Sequence, residues 1–301
     1  MSGQKRAGRT AELIDKLNYV LALARERHFG RAAEALGVTQ PSLSSALKSL
    51  EDQLGVQLVR RGSRFLGLTP EGERVLEWAR RIVGDVRTMQ AELRATRSGV
   101  SGRLRLGVIP TAMPRIAELT APFLARHPAA EVTILSRSSD EIRDQIAALE
   151  LDAGVTYLDG EHLGRLRTIP LFLETLCLVD RTEEGGPVSW AEAARRPLCL
   201  LTPDMQNRRI VAARLAEADA PAVPRVESNS MLAILSHVAA GGWAAILPQA
   251  LADGLPLPPG VRARPLSGGP GNMVGLVLAA REPLPPLLEA MVQVTGHAFD
   301  R

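Results

Sequence analysis

The chain has 301 residues, 46% hydrophobic and 23% charged, which excludes a wholly disordered chain and leaves room for two or more cores. No stretch reaches the roughly 18 consecutive apolar residues of a membrane span, and the opening MSGQKRAGRTAELIDKL has no apolar core before Asp15 and Lys16, so neither a membrane nor a secretory route is expected and a cytoplasmic location is. The net charge of +3 is unevenly placed, with 11 Lys/Arg against 6 Asp/Glu in residues 1–70 and 25 against 27 in the rest, which suits a polyanionic partner for a small basic module.

In chain order, Leu13, Leu17, Val20, Leu21 and Ala24 recur at helical spacing and predict a helix over 13–26. GRAAEALG predicts a short second helix with Ala32, Ala33 and Leu36 on its apolar face and Gly37 as its stop. Thr39 caps a third, with Pro41 in its first turn, and Leu43, Leu47, Leu50 and Leu54 fall on one face expected to be buried. The opposite face carries Gln40, Ser42, Ser45 and Lys48, all able to hydrogen-bond or to neutralise phosphate. This is how a helix-turn-helix sets its second helix in the major groove, although an ordinary helical hairpin with a polar outer face reads the same way. Two short apolar runs then flank Arg60, Arg61 and Arg64, a β-hairpin wing whose basic tip suits phosphate or the minor groove.

Thr69-Pro70-Glu71 opens a long helix, along which Val75, Ala79, Ile82, Val86, Met89 and Leu93 alternate 4-3-4-3-4. That is the spacing of a coiled-coil seam between two chains; packing against its own domain is the alternative. ATRSGVSGR reads as a hinge. Beyond it, strands and helices alternate in a βαβαβ series and then in a second series from about residue 175, predicting parallel sheets in two α/β lobes with a cleft between them. The expected division is 1–70 for the winged head, 71–96 for the linker helix, 97–102 for the hinge and 103–301 for the lobes, with lobe I at 103–174 and 279–301 and lobe II at 175–278.

Open α/β sheets bind ligands outside the carboxyl ends of their strands, where helix N-termini offer N–H groups to anions. Thr111, Ser138, Ser139, Thr202, Asn229 and Ser230 occupy such positions and are the candidate effector residues; each would serve equally as a plain helix cap. With only 3% aromatic residues to line an apolar pocket, the expected ligand is a small organic acid or inorganic anion. Cys177 and Cys199 sit in apolar runs and read as core residues, a redox pair being the lesser alternative. The five histidines show no ligand spacing, so neither a metal nor a cofactor is expected.

The string RAAEALGVTQPSLSSALKSLEDQLGVQLVRR…LTPEG closely resembles the LysR-type regulators, which pair an Ala-Ala helix with a Thr/Ser-Gln-Pro-Ser recognition helix and a Leu-Thr-x-x-Gly wing exit; GGWAAILP resembles their Gly-rich element ending in Leu-Pro. The resemblance spans nearly the whole chain. It implies an α+β multidomain protein: a winged helix-turn-helix, a linker helix and an effector domain similar to periplasmic solute-binding proteins of the second type. It further implies base contacts from Gln40, Pro41, Ser42, Ser45 and Lys48, and backbone contacts from Arg31, Arg60, Arg61 and Arg64. Ser45 departs from the basic or larger polar residue many members carry, which leaves the bases read there open. The implied partners are double-stranded promoter DNA, a second copy of the chain in a homodimer and then a homotetramer, and a small effector, with RNA polymerase a further candidate. No nucleophile motif, P-loop or dinucleotide fingerprint points to an enzyme. A repressor that ignores ligands is the remaining alternative.

Overall fold

Three helices and a hairpin build the head. In the computed structural model, which describes residues 2–61, 65–159, 163–254 and 257–298, α1 runs Ser2–Glu26, α2 Phe29–Ala35 and α3 Gln40–Leu54. Thr39 caps α3, its hydroxyl accepting from the Ser42 N–H at 3.3 Å, and Gly55 ends the helix in a left-handed turn at φ 69°. Leu43, Leu47 and Leu50 are fully buried, each contributing about 1.5–3 kcal/mol, and close a core with Leu17, Val20, Leu23, Ala32 and Ala33. Leu54 does not join them: it is the last residue of α3 and is 46% exposed, because the chain turns away at Gly55.

The wing pairs β1 (Val59–Arg61) with β2 (Phe65–Leu68) antiparallel, and α4 follows over Pro70–Ser98. Gly72, in the first turn of α4, lies so close to the residue before β1 that a Cβ would stand 2.1 Å from the Leu58 carbonyl oxygen. The head and α4 form one unit, 1–97 with 147–149; the other covers 98–146 and 150–301.

In the second unit, lobe I starts with β3 (Gly102–Val108), a 3₁₀ turn at Met113–Arg115, α5 (Ile116–Arg126), β4 (Ala130–Ser136), α6 (Ser139–Ala147), β5 (Ala153–Tyr157) and β6 (Leu166–Glu174). Lobe II holds β7 (Leu176–Arg181), α7 (Trp190–Ala194), β8 (Leu198–Leu201), α8 (Gln206–Glu217), β9 (Val226–Ser228), α9 (Met231–Ala240), β10 (Ala244–Pro248), α10 (Gln249–Gly254) and β11 (Val261–Pro265). The chain then returns as β12 (Asn272–Ala279) and ends in α11 (Pro286–Ala298). The sheet orders are β4-β3-β5-β12-β6 and β11-β7-β10-β8-β9.

Two expectations change. Both sheets are mixed: β12 runs antiparallel to β5 and β6, while β7 runs antiparallel to β10 and β11. Because β12 is hydrogen-bonded into the lobe I sheet along its whole length, the return crossing lies at 266–271, ahead of the expected boundary at 279. Gly107 and Gly154 let α6 settle on the sheet, since a Cβ on Gly154 would stand 2.2 Å from Ile142.

Candidate DNA-binding face and effector cleft

Burial of the leucine stripe turns the other side of α3 outward, so Gln40, Pro41, Ser42, Ser45 and Lys48 are all exposed. The Ser42 hydroxyl is 2.8 Å from that of Thr39, whereas the side chains of Gln40, Ser45 and Lys48 have no partner among the described residues. Two buried charged groups that the sequence reading missed fix this helix. The Glu51 carboxylate accepts from the backbone N–H groups of Leu58 and Val59 at 2.9 and 3.2 Å, tying α3 to the wing. The Lys16 ammonium donates to Ser49 at 3.0 Å and pairs with Glu12, tying α1 to α3. Phe29 meets Phe65 edge to face at 6.1 Å, joining the wing to α2. Arg60 is exposed on β1; Arg64 and the side chain of Arg61 lie outside the described residues. Arg31 is exposed, its guanidinium donating to the Glu26 carbonyl at 2.6 Å.

On α4 the expected seam divides. Ala79 is buried in the head's own core and Val75 packs against it; Val86 is half-buried, and Ile82, Met89 and Leu93 are exposed, joined by Trp78, which is 61% exposed. The outer stripe is therefore Trp78, Ile82, Met89 and Leu93, with 4-7-4 spacing on one face.

Between the lobes opens a cavity of about 520 Å³, within the range of small-molecule sites. Asn229 and Ser230 line it from the start of α9, and Ser136 and Arg137 from the carboxyl end of β4. Thr111, Ser138 and Ser139 face elsewhere. Ser138 exchanges hydrogen bonds with Glu141 at the head of α6, its N–H donating to the carboxylate at 2.8 Å. The Ser139 hydroxyl donates to Gln206 at 2.7 Å and accepts from Thr156 at 2.9 Å. Thr111 meets the Tyr157 hydroxyl at 3.0 Å. The Thr202 hydroxyl is buried at the end of β8 with no hydrogen-bond partner among the described residues.

These contacts form a polar bridge between the lobes. Gln206 and Asn207, the first residues of α8, enter lobe I: Gln206 also donates to the Asp159 carbonyl at 3.0 Å, and Asn207 donates to the Tyr157 hydroxyl at 3.1 Å. Tyr157 in turn donates to Glu174, the residue at which the chain leaves lobe I. Burial pushes the Glu174 carboxyl up to about 7 against the opposing pull of the Tyr157 and Thr111 hydrogen bonds, and its second oxygen is buried without a partner among the described residues. Burial and the nearby Glu174 charge push the Tyr157 phenol up as well.

The two cysteines flank β10: Cys177 stands opposite Leu247 and Cys199 opposite Ala245, both fully buried in one apolar cluster. Two strand spacings and a two-residue offset along β10 put them roughly 12 Å apart, beyond the roughly 7 Å Cα limit for a disulfide. Burial, aided by Asp253, pushes the Cys177 thiol up to about 12, and burial raises that of Cys199. No group of three or more His, Cys, Asp or Glu among the described residues could hold a metal.

A basic winged head with a free polar helix face, followed by a two-lobed α/β body around a ligand-sized cleft, defines a ligand-responsive DNA-binding regulator. Residues 97–300 match the family described as the LysR substrate binding domain, and residues 14–73 match the bacterial regulatory helix-turn-helix of the lysR family. The chain belongs to the LysR family of transcriptional regulators. It is 28% identical over 298 residues to the DNA-binding transcriptional dual regulator OxyR of Escherichia coli, covering 95% of this chain and 96% of that one. It is 37% identical over 169 residues, 56% of this chain and 88% of the relative, to a probable hydrogen peroxide-inducible genes activator of Mycobacterium xenopi. The structure of full-length OxyR C199D from Pseudomonas aeruginosa superposes with a TM-score of 0.73 at 27% identity, covering 94% of each chain.

Proposed function

We propose that this regulator binds promoter DNA through the exposed face of α3 and the wing, and that a small molecule held non-covalently between the lobes modulates that binding. The observation that carries the reading is the cleft with its polar bridge: Gln206 and Asn207 of lobe II are bound into lobe I beside a cavity large enough for a ligand. A ligand that favours one lobe arrangement over the other shifts the equilibrium between them by that difference in affinity. A sensor of this size speaks against a repressor that ignores ligands. Gln40, Ser45 and Lys48 are free to meet base edges or phosphate, and the exposure of Arg60 and Arg31 supports giving them backbone contacts that hold the register. The Trp78, Ile82, Met89, Leu93 stripe supports pairing of two chains through α4, and dimers joined through the sensor lobes give the tetramer. The protein acts in the cytoplasm, by binding and without catalysis, and any effect on RNA polymerase follows from the DNA complex.

Peroxide, the signal in the names of several relatives, has no evident route in this chain: a sensing cysteine is an accessible thiolate, and both thiols here are buried and held protonated. The test is a mobility shift on the DNA beside the protein's own gene, with competitor DNA. Specific retention is expected, unchanged by hydrogen peroxide and weakened in a Met89→Glu, Leu93→Glu variant that no longer pairs. Retention no better than on competitor DNA would defeat the DNA assignment. A peroxide response abolished by Cys177→Ser with Cys199→Ser would defeat the non-covalent one.

A further inference from the structure

Arg137 is the arginine among the residues that line the cleft. Arg103, Arg105, Arg115 and Arg143 each pair with a carboxylate, whereas Arg137 has none within ion-pair distance among the described residues. Its backbone N–H extends the sheet pairing to the Val108 carbonyl at 3.0 Å, fixing it at the carboxyl end of β4. Its guanidinium is steadied from behind by the Ser136 carbonyl at 2.8 Å and Gln145 at 3.2 Å, which leaves donors for a further acceptor. It lines the 520 Å³ cleft together with Met113, Met205 and Met231, unbranched, polarizable side chains that mould to an apolar body. Two carboxylates share the wall. That of Glu141 is committed to the Ser138 N–H, and that of Asp204 faces solvent.

We infer that the effector is a monocarboxylate with an apolar body, its carboxylate paired with Arg137 and its hydrocarbon laid on Met113, Met205 and Met231. This rests on the cleft being the sensor site and replaces the broader expectation of any small organic acid or inorganic anion. Among the described residues of the wall, a compact dianion would meet a single cation, Arg137, beside Asp204 and Glu141 and would leave the methionine surface uncovered. One guanidinium satisfies one carboxylate, and the burial of methylenes supplies the rest of the affinity.

The experiment is calorimetric titration of the full-length protein with straight-chain monocarboxylates from acetate to octanoate, with benzoate, and with sulfate and phosphate. Affinity should rise two- to fourfold per added methylene until the cleft is filled. Sulfate and phosphate should bind at least tenfold more weakly than octanoate. Arg137→Gln should weaken octanoate at least tenfold and weaken octanamide much less. Binding of sulfate or phosphate as tight as octanoate, no binding by any carboxylate, or full octanoate affinity in Arg137→Gln would overturn the inference. A Gln206→Ala, Asn207→Ala variant keeps this separate from the sensor reading. If it alters the DNA mobility shift without ligand while the carboxylates fail, only the ligand class falls. If carboxylates bind but neither they nor this variant changes DNA binding, the sensor reading falls and the ligand class stands.

Discussion

Each unit of this protein buries a glutamate, and the two are treated in opposite ways. In the head, Glu51 spends one carboxylate oxygen on two backbone N–H groups of the wing, so the charge is held by donors that cannot move without breaking the fold. In the sensor, Glu174 leans on the hydroxyls of Tyr157 and Thr111 in a network crossing from one lobe to the other, its second oxygen has no partner among the described residues, and burial raises its carboxyl towards neutrality. The first arrangement makes a fixed part. The second makes a part whose cost depends on protonation and on what the lobes are doing.

The largest expected effect lies in the head. Glu51→Ala strands two buried N–H groups and should cost about 2–4 kcal/mol of its stability, enough to abolish specific DNA binding at 37 °C. Glu51→Gln retains an acceptor and should recover part of that. Chemical denaturation of both variants, followed through the head, checks this; if alanine loses less than glutamine, the carboxylate is not the tie between α3 and the wing.

The sensor's glutamate should reveal itself through pH. Below about 4.5 the carboxyl is protonated whether the chain is folded or not; between there and about 7 only the folded chain keeps the proton. Its contribution is therefore full at low pH, is lost as pH rises through that window, and stays lost above about 7. The interval corresponds to about 3 kcal/mol. Glu174→Gln, neutral at every pH, should lack this slope, so its stability relative to the parent should rise between pH 5 and 7.5 in urea unfolding of the full chain. Parallel curves for the two proteins would place Glu174 in a solvated, ionised state and remove the contrast with Glu51.

What could be read from the sequence was what local periodicity writes. Leu43, Leu47 and Leu50, the Thr39 cap and the short outer face of α3 need only a helix of 3.6 residues per turn. Leu54 obeys the same spacing and escapes burial, because a period says nothing about where a helix stops mattering to the core. The contacts that make the cleft are long-range: Asn207 meets Tyr157 50 residues away, and Ser139 meets Gln206 67 residues away. Thr111 and Ser139 read as hydroxyls at strand ends, a pattern that does not distinguish a hydroxyl aimed at a ligand from one aimed across the lobe junction. Arg137 stands in a run of serines with nothing local to mark it, since only the fold puts it on the cleft wall. β12 misled for a similar reason, its apolar run fitting either sheet until pairing with β5 and β6 decided it.

The smallest effect expected comes from the side of the head that is tied to nothing. Lys48 is exposed, and its ammonium has no partner among the described residues, so Lys48→Ala should leave stability within about 0.5 kcal/mol of the parent, in contrast with Glu51 one turn away on the buried side. If it meets a phosphate, its loss weakens specific and competitor DNA alike and lowers the slope of log affinity against log salt by about one. A base contact behaves otherwise: Gln40→Ala should cost about 1–3 kcal/mol on the true site and almost nothing on competitor, because a bidentate amide reads one base pair. Salt titrations of both variants on both DNAs separate the two roles. A Lys48→Ala protein that discriminates less but keeps the parent's salt slope would move Lys48 from the backbone to a base edge, and α3 would then read the site with an ammonium where Ser45 offers only a hydroxyl.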